Sequence, residues 1–272
     1  MKRFLVSLSI ISIGFSCLFI ESCKKETPDT ETQSSLDNAI CEGEFNKSLP
    51  IINSIAITEQ GVKSNRTSGP SVSLSDTTLG FPITMTIDYG TIGIEDSIDH
   101  KVRKGQIVVR FNDHWHSSGA KAIVKLLDYY VANSTNGEFY RYSVDSMILT
   151  HNLTSFSNTV INGKCSGPSY TLYWSSSRAM TQTEGYTTPL NTLDDVFSTS
   201  GNSTGKDRNG KNYTVKINSP IIKRMACPYM ESGTLDITPE GSTVRTIDYG
   251  NGTCDSKATI TINGNTFAFN MN

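Results

Sequence analysis

Five Asn-Gly pairs constrain the fold of this 272-residue chain more strongly than any other feature of its sequence. Asn-Gly is typical of two-residue β-hairpin turns because both residues tolerate positive φ. Several of the pairs stand between runs of alternating apolar and polar residues, and the clearest hairpin is predicted over residues 261–269. The sequence therefore predicts a succession of antiparallel hairpins. The five pairs begin at Asn136, Asn162, Asn209, Asn251 and Asn263.

Composition favours strands over helices along most of the chain. Its 34 Ser and 31 Thr suit strands and turns better than helices. Apolar residues alternate with polar ones over residues 83–89, 213–217 and 260–262, which is the period of a half-buried strand. We expect an all-β fold, an antiparallel β-sandwich of roughly a dozen strands with one short N-terminal helix.

That helix is predicted within residues 35–57. Ser34 or Ser35 can cap its N-terminus, and Asp37 then lies in its first turn. Pro50 is expected to end the helix. Apolar residues recur at helical spacing before it, at Leu36, Ile40, Phe45 and Leu49.

A short internal repeat allows two related β-rich units in tandem, residues 58–165 and 166–272. The pentapeptide TIDYG occupies residues 86–90 and again residues 246–250, and each copy is followed by a polar loop and a new strand. In a structural interpretation, Ile and Tyr pack inward, Asp braces a turn and Gly permits positive φ. A calcium site built from the two Asp residues is the alternative.

The start of the chain has the pattern of an export signal, predicted over residues 1–22. Two positive residues precede an uncharged, largely apolar run from Phe4 to Ile20. At about 1.5 Å per residue this run reaches roughly 25 Å, which is short for a helix that spans a bilayer. Residues 23–34 that follow contain no large apolar side chain and are expected to form a flexible tether.

The charge of the chain disfavours nucleic acid as a partner. Lys and Arg number 24 against 26 Asp and Glu, which gives a net charge of −2, and no segment concentrates basic residues. We therefore expect no nucleic-acid partner. No motif calls for a cofactor, and none is predicted.

Four cysteines follow Cys23, and in an exported chain they meet oxidising conditions. The preferred disulfide joins Cys227 to Cys254, because each borders a predicted strand in the same C-terminal block. Such a link would contribute roughly 3 kcal/mol. Free buried thiols are the alternative, and the CxxC-type spacing of zinc sites is absent. The other two cysteines are Cys41 and Cys165.

No segment has the signature of a catalytic site, and no catalytic residue is assigned. The tetrapeptide DHWH at residues 113–116 has the highest density of side chains that could bind a metal or transfer a proton. In a strand, His114 and His116 would face the same side and could share a metal, with Asp99 or His100 as a third ligand. A solvated strand end or loop is the alternative, and the nearby Gly119 favours it. Apart from these two His candidates, we predict no metal site.

Four aromatic residues are candidates for a ligand platform: Tyr129, Tyr130, Tyr140 and Trp174. Adjacent Tyr129 and Tyr130 point to opposite faces of a strand, so one of them is expected to face solvent. Exposed aromatic rings suit sugars because the apolar face of a pyranose stacks on them. The alternative places these rings in the sheet core and in cross-strand pairs.

Several features together resemble uncharacterised Bacteroidota-type lipoproteins of the cell envelope. They are a lipobox-like Ile20-Glu21-Ser22-Cys23, the IDYG motif, the DDVF stretch at residues 194–197 and the ending over residues 247–265. The resemblance implies an exported β-rich protein of unknown function. Cys23 would carry acyl chains that hold it on the outer membrane, facing the periplasm or the cell surface. Ordinary signal cleavage without acylation is the alternative.

Proteins of that group are often O-glycosylated at triplets that begin with Asp and continue with Ser or Thr. Thr77, Ser97 and Ser146 stand in such triplets here. The resemblance therefore implies these three residues as O-glycosylation candidates.

We expect a membrane-anchored, non-catalytic binding or adhesion module whose partner is a glycan or a surface protein. A fimbria-like or surface-layer subunit that polymerises through edge strands is one alternative. A hydrolase without a local motif is another. A binding module should have a solvent-facing aromatic row or cleft, a structural subunit a long unpaired edge, and a hydrolase a pocket of perturbed carboxylates or His.

Overall fold

A computed structural model of the chain describes residue 29 and residues 31–59, 69–75, 77–96, 100–115, 117–134, 137–188 and 191–271. One α-helix, α1, spans Gln33–Glu59. The strands are β1 Ser71–Leu74, β2 Ile83–Asp88, β3 Ile94–Glu95, β4 Val102–Phe111, β5 Ala120–Ala132, β6 Tyr140–Ser143, β7 Ser146–Asn152, β8 Ser155–Ser166, β9 Thr171–Glu184, β10 Val196–Lys206, β11 Asn212–Arg224, β12 Ser232–Pro239, β13 Arg245–Asn251, β14 Lys257–Ile262 and β15 Asn265–Asn270. The predicted signal peptide (1–22), Cys23, Ser97, Asp99, His116 and Asn136 lie outside the described residues.

These strands form one 15-stranded antiparallel sheet with β1 at one edge and β15 at the other. Strands that are consecutive in sequence are mostly neighbours in the sheet, while β3 pairs with β4 and β7 pairs with both β5 and β8. The prediction of an all-β, antiparallel fold with one N-terminal helix is confirmed. The sheet is continuous, however, and is not divided into the two sheets of a sandwich. The predicted boundary at residue 165 falls inside β8.

The helix α1 covers one face of the sheet, which we call the inner face. Side chains alternate along the strands, as in β5, where Ala122 and Val124 are buried while Lys121 and Lys125 are exposed. Inner-face residues from β2 through β14 share one hydrophobic core with α1. One helix can share a core with strands so far apart in a sheet only if the sheet curves around it.

Two Asn-Gly pairs show where the hairpin rule holds and where it fails. Asn263 and Gly264 join β14 to β15 with φ values of 51° and 76°, as a two-residue hairpin turn requires. Asn162 and Gly163 instead lie within β8, at a β-bulge where the register with β9 shifts. A Cβ on Gly163 would lie 2.8 Å from the Phe45 ring. Because Gly163 has no side chain, Phe45 of α1 can pack against the sheet at this position. The glycine does not form a turn.

The N-terminus of α1 is capped differently from the prediction. Glu31 Oε1 accepts a hydrogen bond from the Ser34 backbone N–H at 2.9 Å. The Thr32 carbonyl accepts from the N–H groups of Ser35 and Leu36, each at 3.1 Å. Ser34 and Ser35 consequently lie inside the first turn, and the prediction that one of them caps the helix is wrong.

Pro50 lies inside α1 and does not end it. A proline in a helix interior destabilises the helix by about 3 kcal/mol, partly through a lost backbone hydrogen bond. The helix continues because Ile51, Ile52 and Ile55 are buried in the core, and burial of each contributes about 2 kcal/mol. Among the described residues, no helix is both long enough and apolar enough to cross a membrane.

The two TIDYG copies form the same short hydrogen bond in different settings, since Asp88 ends β2 before a turn and Asp248 lies inside β13. The Gly90 N–H donates to Asp88 Oδ1 at 2.7 Å, and the Gly250 N–H donates to Asp248 Oδ1 at 2.8 Å. Both glycines have positive φ, 69° and 99°. Both aspartates bind the backbone of their own copy, as the structural interpretation predicts, but only Asp88 braces a turn.

Candidate functional site

Four arginines hold α1 and the residues before it against the sheet, and we call this set the arginine clamp. It consists of Arg103 in β4, Arg178 in β9, Arg208 between β10 and β11, and Arg245 in β13. The side chains of Arg103, Arg178 and Arg245 have no solvent exposure. Each clamp arginine binds a carboxylate of residues 29–44. Sequence analysis missed the clamp because its partners are remote in sequence.

The pair between Arg103 and Glu44 is the most enclosed. Arg103 donates through Nε to Glu44 Oε1 at 3.0 Å and through Nη2 to Oε2 at 3.1 Å, which makes the contact bidentate. The Tyr129 hydroxyl donates to the same Oε1 at 2.8 Å. Removal of either charged partner would leave the other buried without its bidentate contact.

The other three clamp pairs have nitrogen–oxygen distances of 2.5–2.6 Å and are Arg178–Glu42, Arg208–Asp37 and Arg245–Asp29. The end of the predicted tether, from Asp29 onward, is thus bound to the sheet and not free. Buried ion pairs specify one arrangement more than they add net stability. The clamp therefore fixes the position of α1, and its guanidinium-bound carboxylates have a structural role.

Asp29 makes one clamp pair sensitive to strong acid. Desolvation raises the pKa of Asp29, but hydrogen bonds from the Glu31 and Thr243 backbone and from Arg245 outweigh it and lower the pKa to about 2. A carboxylate whose pKa is depressed by folding contributes stability above its unfolded pKa of about 4, and this contribution is lost as the pH falls toward 2.

We expect Asp29→Asn to be less stable than the wild type at pH 7, with a difference that shrinks as the pH falls from about 4 to about 2. Urea unfolding of both proteins across this pH range measures it. A difference that stays constant with pH would contradict the assignment.

Two of the four predicted platform residues, Tyr129 and Trp174, are buried, so the platform prediction is wrong for them. Burial raises the pKa of Tyr129 well above its usual value, and its hydroxyl binds Glu44. Trp174 Nε1 donates to Asn38 Oδ1 at 2.9 Å, and its ring stacks on Phe45 with centroids 5.6 Å apart. Both rings lie on the inner face, where contact with α1 excludes a ligand.

Tyr130 and Tyr140 are half-buried, but they do not share a surface. Tyr130 is opposite the exposed Arg141, whereas Tyr140 is opposite the buried Val131. Cross-strand partners point to the same face, so the two rings lie on opposite faces of the sheet. The predicted platform of four residues is therefore not assembled, and this prediction is corrected.

The described metal candidates are not brought together. His114 is exposed and packs edge-on against Phe81, with ring centroids 4.7 Å apart. His100 instead pairs with Glu95, its Nδ1 lying 3.1 Å from Oε1. Both described candidate histidines, His100 and His114, therefore contact other neighbours and not each other.

The structure contains the predicted disulfide between Cys227 and Cys254, with Cα atoms 5.8 Å apart. It ties the β11–β12 loop to the β13–β14 loop. Cys41 and Cys165 are buried free thiols. With Glu231 the two bonded cysteines form a group of metal-like spacing among the described residues. Their sulfurs are already bonded to each other, so this group is not a metal site.

The O-glycosylation candidates that the structure describes lie at the starts of two elements. Thr77 begins a short 3₁₀ turn over Thr77–Leu79. Ser146 is half-buried at the start of β7. O-glycosylation of these residues stays a prediction.

A groove of about 690 Å³ crosses the outward side of β9 to β12, and we call it the outer groove. Its exposed aromatic residue is Tyr173, which is 45% exposed. Strand register places Lys206 beside Tyr173 and Asn212 beside Lys206. On the other side of Tyr173, Lys164 Nζ lies 5.8 Å from the ring centroid. An aromatic ring thus stands between two cationic side chains.

A second row of side chains in register supplies hydroxyl groups along the outer groove, at Ser175, Thr204, Thr214 and Thr238. Next to Lys206 in the outer groove, Asn212 Nδ2 donates to Glu240 Oε2 at 2.8 Å. Hydroxyl and amide groups both donate and accept hydrogen bonds. The groove therefore offers polar groups of both kinds next to the Tyr173 ring.

Tyr213 also lines the outer groove and is almost fully buried. Within the described residues its hydroxyl has no hydrogen-bond partner. Gly205 gives this hydroxyl its room, since a Cβ there would lie 2.3 Å from it. Strand register pairs Gly205 with both Trp174 and Tyr213, so the Tyr213 side chain points to the inner face and is not exposed to a ligand in the outer groove.

Sequence reasoning chose Trp174 and overlooked its neighbour Tyr173. The available signal was strand parity, because Leu172 and Trp174 share one face and leave Tyr173 on the other. The structure buries the first two and exposes Tyr173. Comparison of the chain with known protein families, with curated proteins and with solved structures finds no match.

Proposed function

We propose that this protein is a lipoprotein of the outer membrane, anchored through acylated Cys23, and that its sheet is a non-catalytic module that binds carbohydrate in the outer groove. The observation that carries the proposal is the exposed Tyr173 ring beside rows of hydroxyl and amide side chains. The apolar run before Cys23 supports export.

Carbohydrate fits the chemistry of the outer groove better than an apolar ligand does. A pyranose presents an apolar face that stacks on an aromatic ring, and hydroxyls around its rim that bind polar side chains. Lys164 and Lys206 flank Tyr173, and their charge favours sugars that carry a carboxylate or a sulfate. The groove is open and shallow, so it suits an extended chain of sugars.

Acylation of Cys23 would keep this module close to the lipid. Asp29 is bound to Arg245, so six residue steps separate the anchor from the folded body. Fully extended, these steps span at most about 20 Å. The ligand would therefore be a glycan near the membrane surface.

We expect Tyr173→Ala to weaken oligosaccharide binding about tenfold, because it removes the stacking surface. Tyr186→Ala is the matched control, since Tyr186 is 58% exposed and does not line the groove. Membranes from cells that express each full-length protein would be tested against fluorescent neutral and acidic oligosaccharides. Under the proposal, mass spectrometry finds acyl chains on the wild type that Cys23→Ala lacks.

Two results would count against the proposal. Equal loss of binding in Tyr173→Ala and Tyr186→Ala would remove the groove as the site. No binding of any oligosaccharide by the wild type, in membranes that contain the folded protein, would remove carbohydrate as the ligand class.

A further inference from the structure

The last strand of the sheet, β15, is an unprotected edge. It pairs with β14 on one side, and no described strand pairs with its other side. All six of its residues are exposed, Phe267 and Phe269 among them. The strand has no charged residue and no proline. Natural sheets use such residues to prevent pairing between edges, so β15 lacks the usual protection.

The opposite edge differs in these respects. The strand β1 has only four residues and directly follows Pro70. Short length and proline are both devices that block an edge. The sheet therefore has one protected edge and one edge that is open to pairing.

The hairpin geometry determines which backbone groups of β15 are free. Ile262 and Asn265 flank the two-residue turn and form a hydrogen-bonded pair. Odd-numbered residues of β15 therefore direct their N–H and C=O groups toward β14. The Met271 N–H fits this pattern by donating to the Ser256 carbonyl at 2.7 Å. Backbone groups of the even-numbered residues point away from the sheet, at Thr266, Ala268 and Asn270.

We propose that β15 pairs with β15 of a second copy of this chain, antiparallel and centred on Ala268. The strand sequence NTFAFN is nearly symmetric about this residue, and a two-fold axis brings the same surface of both copies together. This register pairs the free backbone groups of one copy with those of the other, in about six hydrogen bonds. The proposed pairing of β15 strands is independent of carbohydrate binding in the outer groove.

The side chains of β15 are what favour a second copy as the occupant. In this register Phe267 of each copy is opposite Phe269 of the other. Both rings lie on the inner side, since their partners in β14 are the buried Ile260 and Ala258. Cross-strand aromatic pairs stabilise sheets. On the outer side two small Ala268 side chains meet, and no charge faces a like charge.

Cysteine cross-linking of the full-length protein tests the pairing. Ala268→Cys places two cysteines across the axis at a Cα separation of about 5.5 Å, within the range of a disulfide. The matched control is Thr259→Cys, one strand inward and opposite Ala268. Its copies would be about 14 Å apart, too far to bond. We expect a disulfide-linked dimer on non-reducing gels from Ala268→Cys only.

A second change separates specific pairing from random collision. Addition of Phe269→Ser to Ala268→Cys should reduce the dimer at least several-fold, because it removes two of the four clustered rings. Equal cross-linking of the two cysteine variants would overturn the proposal. So would a monomer throughout, or a cross-link to a different protein, which would show another occupant of the edge. Circular dichroism of each variant confirms that the sheet is folded.

Discussion

Glu44→Gln should destabilise the protein by about 3 kcal/mol, near the lower end for a broken buried ion pair. The substitution leaves Arg103 charged, fully buried and without its bidentate partner. Two features limit the loss. Asp96 Oδ2 remains 3.5 Å from Arg103 Nη1, and the amide oxygen of Gln can still accept from Tyr129. Urea unfolding of the variant and the wild type measures the difference.

A second substitution shows whether the buried Arg103 charge, once it has lost its bidentate carboxylate, is the cause. Arg103→Met combined with Glu44→Gln should recover part of the lost stability, because the buried guanidinium that lost its bidentate partner is then removed as well. Asp128→Asn is the control, since the Arg141–Asp128 pair is exposed and should contribute less than about 1 kcal/mol. Equal effects of Glu44→Gln and Asp128→Asn would contradict the importance of the clamp.

Loss of the Cys227–Cys254 disulfide, by the double change Cys227→Ser and Cys254→Ser, should destabilise the protein by about 3.5 kcal/mol. The bond closes a loop with a sequence separation of 27 residues. Without it the unfolded chain gains the entropy of an open loop, and the two linked loops can separate. Buried Cys227 also loses its covalent partner. Guanidinium unfolding of the two proteins measures the effect.

Reductant provides the matched control for this prediction. Dithiothreitol should destabilise the wild type by about the same amount and leave the double variant unchanged, because Cys41 and Cys165 form no disulfide. A wild type whose stability is the same with and without reductant would contradict the prediction.

Local signals in the sequence were sufficient for the elements whose causes are local. The turn at Asn263 and Gly264 forms as predicted, because its two positive φ angles depend on those residues alone. The hydrogen bonds from the Gly90 N–H to Asp88 and from the Gly250 N–H to Asp248 are local for the same reason. An antiparallel sheet and one helix followed from such patterns.

Remote partners decided the features that sequence patterns missed. Gly163 lies in a bulge because Phe45 packs on it. Trp174 faces inward because Asn38 and Phe45 lie there. Strand parity with the apolar Leu172 separates Trp174 from Tyr173, but the burial of the Trp174 face depends on the side of the sheet that α1 covers.

The arginine clamp has a consequence for the order of folding. Each strand finds its partners close by in the sequence, so hairpins can form one after another along the chain. α1 precedes every strand, yet Arg103 follows its partner Glu44 by 59 positions and Arg245 follows Asp29 by 216. Contacts between such distant residues form slowly. Of the described elements, α1 is therefore synthesised first and takes its final position last, once the nearly finished sheet can enclose it.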